Sequence, residues 1–219
     1  MVKRKTWSVI PRSKALELGK QVVPGAWAFK KKRAPNGTHR KHKARFCVCG
    51  DLQKISNNEI QEAMNAPEVL TERGIRESLD TCWPVVSWVT VRLVMIFELL
   101  LGLQSKQIDF SNAFVQAELK KPVCLEIPQG CESREKGDMV LELHRSLCGQ
   151  IEAPKLWHEK LKNGMEARNF RTSELDPCLF ISKKMVAVSH VDNVLYWFKH
   201  DKTFNKHIKS FEDDGDEFN

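Results

Sequence analysis

Short apolar stretches separated by polar turn residues run along most of the chain, and their spacing predicts its strands. The dipeptide Asn36-Gly37 is a strong hairpin signal, because both residues tolerate the positive φ values of a tight turn. The stretches on either side of it, residues 26–33 and 41–48, are therefore predicted to form a β-hairpin. Further strands are predicted at residues 106–110, 123–127, 139–144, 180–183, 185–190 and 194–198.

A helix is predicted to begin near Pro154, because proline is favoured in the first turn of a helix. The apolar residues that follow recur at every fourth position, as on one face of a helix. They are Trp157, Leu161 and Met165. Residues 56–80 are polar without a clear period, and we predict a loop there with a short helix near residues 70–79. Helices segregated from a mostly antiparallel sheet indicate the α+β class.

The most apolar stretch of the chain, residues 85–103, is long enough to raise the question of a membrane span. Arg92 and Glu98 lie within it, and Ser87 and Thr90 lie near its start. Polar residues at these positions fit a helix buried in a globular protein better than a helix in a bilayer. We therefore predict a buried helix here and expect no membrane partner.

The charge of the chain is unevenly distributed. Lysine and arginine outnumber aspartate and glutamate by 35 to 28, and the excess is concentrated in the first 45 residues, whereas residues 212–217 are acidic. A basic arm of this kind is compatible with nucleic-acid binding, although an ordinary solvated surface is the alternative. With 219 residues of which 42% are hydrophobic, the chain can pack the core of one large domain or two small ones.

The chain has seven cysteines and no apolar signal segment at its N-terminus. These features predict free thiols in a reducing compartment, and hence an intracellular location, cytoplasmic or nuclear. Cys47 and Cys49 are the one close pair, and their spacing does not match a zinc site. Alternation along a strand would put both thiols on the same face, so we predict that they fill the core.

Two segments carry candidate chemistry. Asp109 ends an apolar strand, and Asp192 lies in a tight turn between two apolar strands, followed by Asn193. Carboxylates placed in this way suit phosphoryl transfer with two Mg²⁺ ions about 4 Å apart. Each aspartate also has an ordinary structural alternative: Asp109 could cap a helix that begins at Ser111-Asn112, and Asp192-Asn193 is a common turn dipeptide.

Eight motifs occur in one order along the chain. They are Trp27–Lys30, Lys43–Gln53, Pro84-Val85 with Thr90–Arg92, Asp109–Phe114, Pro128–Cys131, Leu147–Trp157, Asp176–Phe180 and His190–Asn193. In these motifs, from about residue 7 to about residue 198, the chain resembles the reverse transcriptase domain of Ty1/copia-type retrotransposon polyproteins.

The resemblance implies the fingers and palm of a right-hand polymerase, an α+β fold with helices packed on an antiparallel sheet. Residues 1–84 would form a fingers-like basic hairpin region with a connecting loop, and residues 85–198 a palm-like catalytic region. Residues 199–219 would be a truncated, charged C-terminal segment, and we expect the thumb to be missing.

The resemblance also implies roles for individual residues. Asp109 and Asp192 would hold two Mg²⁺ ions, with Asn193 beside them in the catalytic motif, while the primer 3′-hydroxyl attacks the α-phosphate of a dNTP on an RNA template. The predicted substrate-binding residues are Lys30, Lys43, Arg45, Phe114, Cys148 and Gly149. Of these, Lys43 and Arg45 would contact the triphosphate, Phe114 would lie under the sugar, and Cys148-Gly149 would line the nucleotide and template pocket. A solvated strand face is the alternative for the two cations, and a core position is the alternative for Phe114.

Several residues depart from the family's pattern. Asn193 stands in place of an aspartate, so the metal site would lose one formal charge. Cys148 and His190 stand where the family has tyrosine. Together with the missing thumb, these departures predict a degenerate copy whose polymerase activity is lost. The alternatives are a non-catalytic nucleic-acid-binding remnant that uses the basic hairpin, and an unstable fragment without function.

Overall fold

The computed structural model describes residues 6–53, 84–131, 138–214 and 218. The chain divides into two compact units. Unit 1 comprises Met1–Thr81 and Ala117–Ala153, and unit 2 comprises Cys82–Gln116 and Pro154–Asn219. The units interleave along the chain, whereas the functional regions predicted above are contiguous, and that functional partition stays a prediction. The loop and short helix predicted within residues 56–80 lie outside the described residues.

The described elements mix strands and helices, as an α+β sequence pattern predicts. In chain order they are β1 (Trp7–Pro11), α1 (Arg12–Glu17), β2 (Val22–Val23), β3 (Gly25–Arg33), β4 (His39–Val48), a 3₁₀ turn (Gly50–Leu52), α2 (Trp88–Leu101), β5 (Gln104–Asp109), α3 (Ala113–Gln116), β6 (Glu118–Glu126), β7 (Met139–Arg145), α4 (Ala153–Glu166), β8 (Arg171–Thr172), β9 (Leu179–Ile181), β10 (Met185–His190), β11 (Asn193–Phe198) and α5 (Asp201–Glu212). The hairpin, the later strands and the helix near Pro154 are thus confirmed, with ends shifted by a few residues.

Unit 1 contains a small sheet and a separate hairpin. The sheet has the order β1-β7-β6-β2, and among its described pairs only β2 with β6 is parallel. Ile10, Ala15, Cys124 and Val140 form a buried cluster beneath it. The hairpin of β3 and β4 is antiparallel from Gly25, opposite Val48, to Arg33, opposite His39. Its predicted turn at Asn36-Gly37 is confirmed, with Gly37 at a φ of 82°.

Unit 2 is built on an antiparallel sheet of order β5-β11-β10-β9-β8. Side chains alternate between the two faces of a strand, so each face has its own set of residues. One face packs against α4 and α5 in a large aromatic core. Trp157, Leu161 and Met165, predicted to share one face of a helix, are each no more than 1% exposed and lie in this core.

The other face of this sheet meets α2, which corrects the prediction of a buried helix at residues 85–103. Val94 packs against Val188 and Trp197, but Val94 alone of residues 88–101, all of which the structure describes, is buried. Leu99 is 84% exposed. A helix lying on one sheet buries only a stripe of its surface, and α2 is apolar all round, so its composition could not show which side is covered. Of the helices in the described part of the chain, none has the length and apolar character of a membrane span.

Polar groups tie α2 to unit 2. Glu98 accepts hydrogen bonds from Trp197 Nε1 and from Ser105 Oγ, both at 2.7 Å, which explains a charged residue inside an apolar helix. The buried Asp176 accepts from the Ser87 backbone N–H at 3.0 Å and from the Thr90 hydroxyl. Asp176 thereby fastens the start of α2 to the segment before β9.

The helix α5 was missed by the sequence analysis, which saw only a charged C-terminal segment. Phe204, His207 and Phe211 lie on its buried face. Arg168, which follows α4, holds this helix in place: its guanidinium lies 3.7 Å from the Phe211 ring centroid and donates to the Ser210 carbonyl at 2.6 Å. The helical spacing of the apolar residues was the available signal, and the surrounding charges obscured it.

His207 is a titratable group inside the core of unit 2. Its ring lies among those of Phe170, Tyr196 and Phe211, at centroid distances of 5.1, 5.1 and 5.0 Å. Its buried Nε2 has no hydrogen-bond partner within the described residues. Burial first, and then the positive charge of Arg168, lower the pKa of His207 to about 4.

This lowered pKa predicts a pH-dependent stability. The ordinary pKa of histidine is 6.5, so between the two values the unfolded chain binds a proton at His207 that the folded chain does not. The stabilising contribution is fully present above pH 6.5 and is lost as the pH falls toward 4. We expect His207 to lower the free energy of unfolding by about 2 kcal/mol between about pH 7.5 and about pH 5, measured by urea unfolding.

The variant His207→Gln should lack this part of the pH dependence. The matched variant His200→Gln changes an exposed imidazole next to the start of the same helix and should keep it. If wild type and His207→Gln lost equal stability over this pH range, the buried imidazole would not be the cause.

Candidate active site

The structure brings the two candidate segments together at one end of the unit 2 sheet. β5 and β11 are antiparallel neighbours, and Asp109 lies directly opposite Asn193. The Phe110 backbone N–H donates to the carbonyl oxygen of Asp192 at 2.8 Å. Asp109 is not at a capping position, because α3 begins only at Ala113. Three predicted residues, Asp109, Asp192 and Asn193, therefore lie at one place in unit 2.

The turn that carries Asp192 has a strained backbone and is held by a hydrogen bond from the core. Val191 and Asp192 connect β10 to β11, and Val191 has a φ of 57°. A β-branched residue in the left-handed region costs conformational energy, and such strain persists only where the surroundings enforce it. Here the indole N–H of the fully buried Trp157 donates to the Val191 carbonyl at 2.8 Å. Trp157 thus positions the turn from the core side.

Asn193 is engaged through both ends of its amide. Its Nδ2 donates to Asp192 Oδ1 at 2.9 Å, and its Oδ1 accepts from Gln107 Nε2. An amide offers one acceptor oxygen and one donor nitrogen, so a carboxylate at this position could not donate to Asp192. The hydrogen bonds from Gln107 to Asn193 and from Asn193 to Asp192 therefore hold one carboxylate oxygen of Asp192 through two uncharged amide side chains.

The oxygen atoms at this end of the sheet are of the kind that binds the Mg²⁺ ions implied by the resemblance. Asp109 and Asp192 supply the hard carboxylate oxygens that Mg²⁺ prefers, and Mg²⁺ in nucleotide sites is commonly held by one or two carboxylates together with substrate phosphates. Within the described ranges, no group of three or more His, Cys, Asp or Glu side chains could hold a metal ion. The residues fit a site completed by substrate, with Asn193 in place of a further carboxylate.

The predicted triphosphate ligands lie on the hairpin of unit 1. Lys30 is directly opposite Lys43, and Lys32 is opposite Lys41, while Ala28 is opposite Arg45. Because residues two apart on a strand share a face, the cations form one surface, which we call the cation face. It consists of Lys30, Lys32, Lys41, Lys43 and Arg45. Repulsion from Lys43, the largest cause, lowers the pKa of Lys32, as expected where positive charge is concentrated.

The opposite face of the hairpin is aromatic, which the sequence analysis did not predict. Trp27 and Phe29 are stacked with centroids 5.9 Å apart, and Phe46 lies 5.2 Å from Trp27. Phe29 is 76% exposed. The signal was present in the sequence, since aromatic residues alternate with small or basic ones along β3 with the two-residue period of a strand.

The predicted pocket residues Cys148 and Gly149 lie in the turn after β7, also in unit 1. Gly149 has a φ of 95°, and a Cβ atom there would lie 2.0 Å from the Val48 carbonyl oxygen. A Cβ atom on Gly50 would likewise lie 2.0 Å from the Gly149 carbonyl oxygen. Glycine is thus required because, within unit 1, the main chain of this turn lies against the main chain at the end of β4.

The structure corrects the expectation for Cys47 and Cys49 and supports one of the two alternatives for Phe114. Cys47 and Cys49 were predicted to fill the core, but both are only partly buried, and Val48 between them is the residue that is 3% exposed. The strand ends at Val48, so the alternation assumed for Cys49 does not continue. Phe114 in unit 2 packs half-buried beside Ile108 against the core, which supports its packing alternative and leaves its role at the sugar a prediction.

Comparison with known proteins decides the family. The family described as Reverse transcriptase (RNA-dependent DNA polymerase) matches residues 4–214. The chain belongs to this reverse transcriptase family. The resemblance to Ty1/copia-type polyproteins is therefore confirmed.

The relatives of this chain are much longer proteins, of which it spans about an eighth. It is 26% identical to the "Retrovirus-related Pol polyprotein from transposon TNT 1-94" of Nicotiana tabacum, over 82% of the chain and 12% of the relative. It is 24% identical to that from transposon RE1 of Arabidopsis thaliana, over 87% of the chain and 12% of the relative. A solved apo telomerase from Candida tropicalis, truncated from its C-terminal domain, aligns with 95% of the chain and 49% of its own, at 11% identity and a TM-score of 0.36.

The contacts of Asn193 predict how the stability of the chain responds to Mg²⁺. Asn193→Asp would replace the hydrogen bond to Asp192 with a repulsion between carboxylates of about 1 kcal/mol. In the presence of a chelator the variant should unfold a few degrees below wild type. Millimolar Mg²⁺ should restore more of the unfolding temperature in the variant than it adds to wild type, measured by thermal unfolding.

The matched control is Asn205→Asp, which adds the same charge at an exposed position of α5. It should show no such recovery. If Asn193→Asp were as stable as wild type without Mg²⁺, the hydrogen bond to Asp192 would not contribute.

Proposed function

We propose that this chain is the nucleotidyl-transfer region of an RNA-directed DNA polymerase, with unit 2 as a palm-like part and unit 1 as a fingers-like part. The observation that carries the proposal is the pairing of β5 with β11, which brings Asp109 beside the turn of Asp192 and Asn193. Membership in the reverse transcriptase family supports the reaction class, and a template, a primer and a dNTP are its substrates.

In the proposed reaction the protein binds and orients the metal ions and the nucleotide. Asp109 and Asp192 would hold Mg²⁺, which when bound stabilises charge on the attacking and leaving oxygens. As the family resemblance implies, Lys43 and Arg45 would contact the triphosphate, since lysine and arginine form charge-assisted bonds to phosphate oxygens. The primer 3′-hydroxyl then attacks the α-phosphate of the dNTP, and pyrophosphate leaves.

Asn193 is the residue that limits this activity in the proposal. It is neutral where the family has a carboxylate, and its amide is committed to Gln107 and Asp192. Electrostatic groups fixed around the reacting phosphates contribute powers of ten in rate. The chain itself should therefore be a weak or inactive polymerase.

Primer extension tests this directly. With an RNA template, a DNA primer, dNTPs and Mg²⁺, incorporation by the purified chain should be close to background. Asn193→Asp alone should recover only a small part of the activity, because Cys148 and His190 still depart from the family's pattern. Asp109→Ala should abolish incorporation in both backgrounds.

Two results would count against the proposal. Incorporation that persists in Asp109→Ala would place the chemistry elsewhere. The absence of any gain in Asn193→Asp, in a chain shown to be folded and to bind primer–template, would remove the catalytic assignment and leave the second candidate.

That second candidate is nucleic-acid binding without catalysis, and the cation face favours it. Five basic side chains lie on one side of the hairpin, and stacked, exposed aromatic rings lie on the other. Cations that follow a phosphate backbone and rings that stack on bases are the two components of sequence-tolerant binding to single strands. Binding of this kind needs no metal site.

Its prediction concerns salt. Each phosphate contact that is lost should flatten the dependence of log affinity on log salt by about 0.7 for a single strand. The double variant Lys43→Ala/Arg45→Ala should therefore lower the slope by about 1.4, measured by fluorescence anisotropy with a single-stranded RNA. The double variant Lys183→Ala/Lys184→Ala removes the same charge from an exposed turn of unit 2 and should leave the slope unchanged. Equal slopes in all three proteins would show that the cation face is only a solvated surface.

A further inference from the structure

Two cysteines of unit 1 lie in contact although they are far apart in sequence. Cys47 is near the end of β4, and Cys148 lies in the turn after β7. The neighbouring Cys148 side chain is one of the groups that raise the pKa of Cys47. The backbone N–H of Val48 donates to the Cys148 carbonyl at 2.8 Å. Both side chains are partly exposed, and both are free thiols in this structure.

The backbone holds this contact in place. Gly149 leaves no room for a Cβ atom against the Val48 carbonyl, and Gly50 leaves none against Gly149. The two segments therefore touch through their main chains directly after the two cysteines, at Val48, Gly50 and Gly149. Two cysteines brought together by such a backbone contact need little movement to reach disulfide geometry.

We propose that Cys47 and Cys148 form a reversible disulfide when the chain meets a peroxide. Cys148 reacts first: its sulfur attacks one peroxide oxygen, the O–O bond breaks, and a sulfenic acid and water form. The Cys47 sulfur then attacks the sulfenic sulfur, the S–O bond breaks, and a second water leaves. Two thiols are oxidised to one disulfide, and one peroxide is reduced to two waters.

The order of these steps follows from the surroundings of the thiols. Burial, and then the hydrogen bond to Cys148, raise the pKa of Cys47. Cys47 is therefore held as the neutral thiol, which reacts poorly with peroxide. The thiolate is the nucleophile in this chemistry, so the first attack is assigned to Cys148.

Other uses of these cysteines are less well supported. Cys49 is close enough to influence Cys47 electrostatically, but the described residues contain no group of three ligands suited to a metal ion. A bond between Cys47 and Cys148 would instead fasten the hairpin with the cation face to the turn at Cys148. Because it closes a long loop of the unfolded chain, the disulfide should stabilise unit 1.

Peptide mapping tests the proposal on the complete 219-residue chain. The reduced protein is treated with stoichiometric hydrogen peroxide, digested without reductant and analysed by mass spectrometry. We expect a linked pair of peptides that contain Cys47 and Cys148, reversed by dithiothreitol. The unfolding temperature should rise on oxidation and return on reduction.

Matched variants make the result specific. Cys148→Ser should abolish the linkage and the rise in unfolding temperature, whereas Cys131→Ser, at an exposed cysteine outside the contact, should keep both. In Cys47→Ser, a dimedone probe should label Cys148 as the trapped sulfenic acid. Linkage of Cys49 to Cys148 as the main product, or no intramolecular linkage in wild-type protein that is folded by circular dichroism, would overturn the proposal.

Discussion

The antiparallel register between β5 and β11 is the constraint on which the candidate site depends. The pairing runs from Gln104, opposite Phe198, to Asp109, opposite Asn193. Side chains alternate, so this register buries Val194 in the aromatic core and places Asp109 and Asn193 on the other face. A slip of one residue would exchange the two faces and turn the core residues of one strand away from the aromatic core. Burial of apolar side chains therefore fixes where the carboxylates lie.

The spacing of apolar residues along the sequence was enough to predict the helices and strands in which that spacing alone shows which side is buried. The hairpin at Asn36-Gly37, the strands β5 and β9 to β11 of unit 2 and the helix of Trp157 were predicted in this way, whereas the two-residue strand β8 was not. The exposure of α2 could not be predicted, because a helix that is apolar all round does not indicate which side is covered. Likewise α5 was missed, since its buried aromatic residues are separated by charged ones and its partner, Arg168, is distant in sequence.

For the candidate site, the sequence predicted the meeting of Asp109 with Asp192 but not the reasons for the residues around them. The motifs shared with the family contain residues of two kinds. Trp157 and Asp176 hold backbone groups of the Val191 turn and of the start of α2, and Gly149 permits a main-chain contact. Asp109 and Asp192 bear the proposed chemistry. A sequence motif does not show which of its residues are needed for packing and which for chemistry, because a substitution at either kind of residue impairs the protein.

Asn193 shows why the fold and the proposed activity respond differently to one substitution. Its amide is satisfied by Gln107 and Asp192, so the end of the sheet is held without any cation. A carboxylate at this position would repel Asp192, and a bound cation would offset that repulsion. With aspartate, binding of Mg²⁺ and order of the turn would stabilise each other. With asparagine the turn is ordered by hydrogen bonds alone. The same substitution thus removes the structural need for the ion and one negative charge that would bind it.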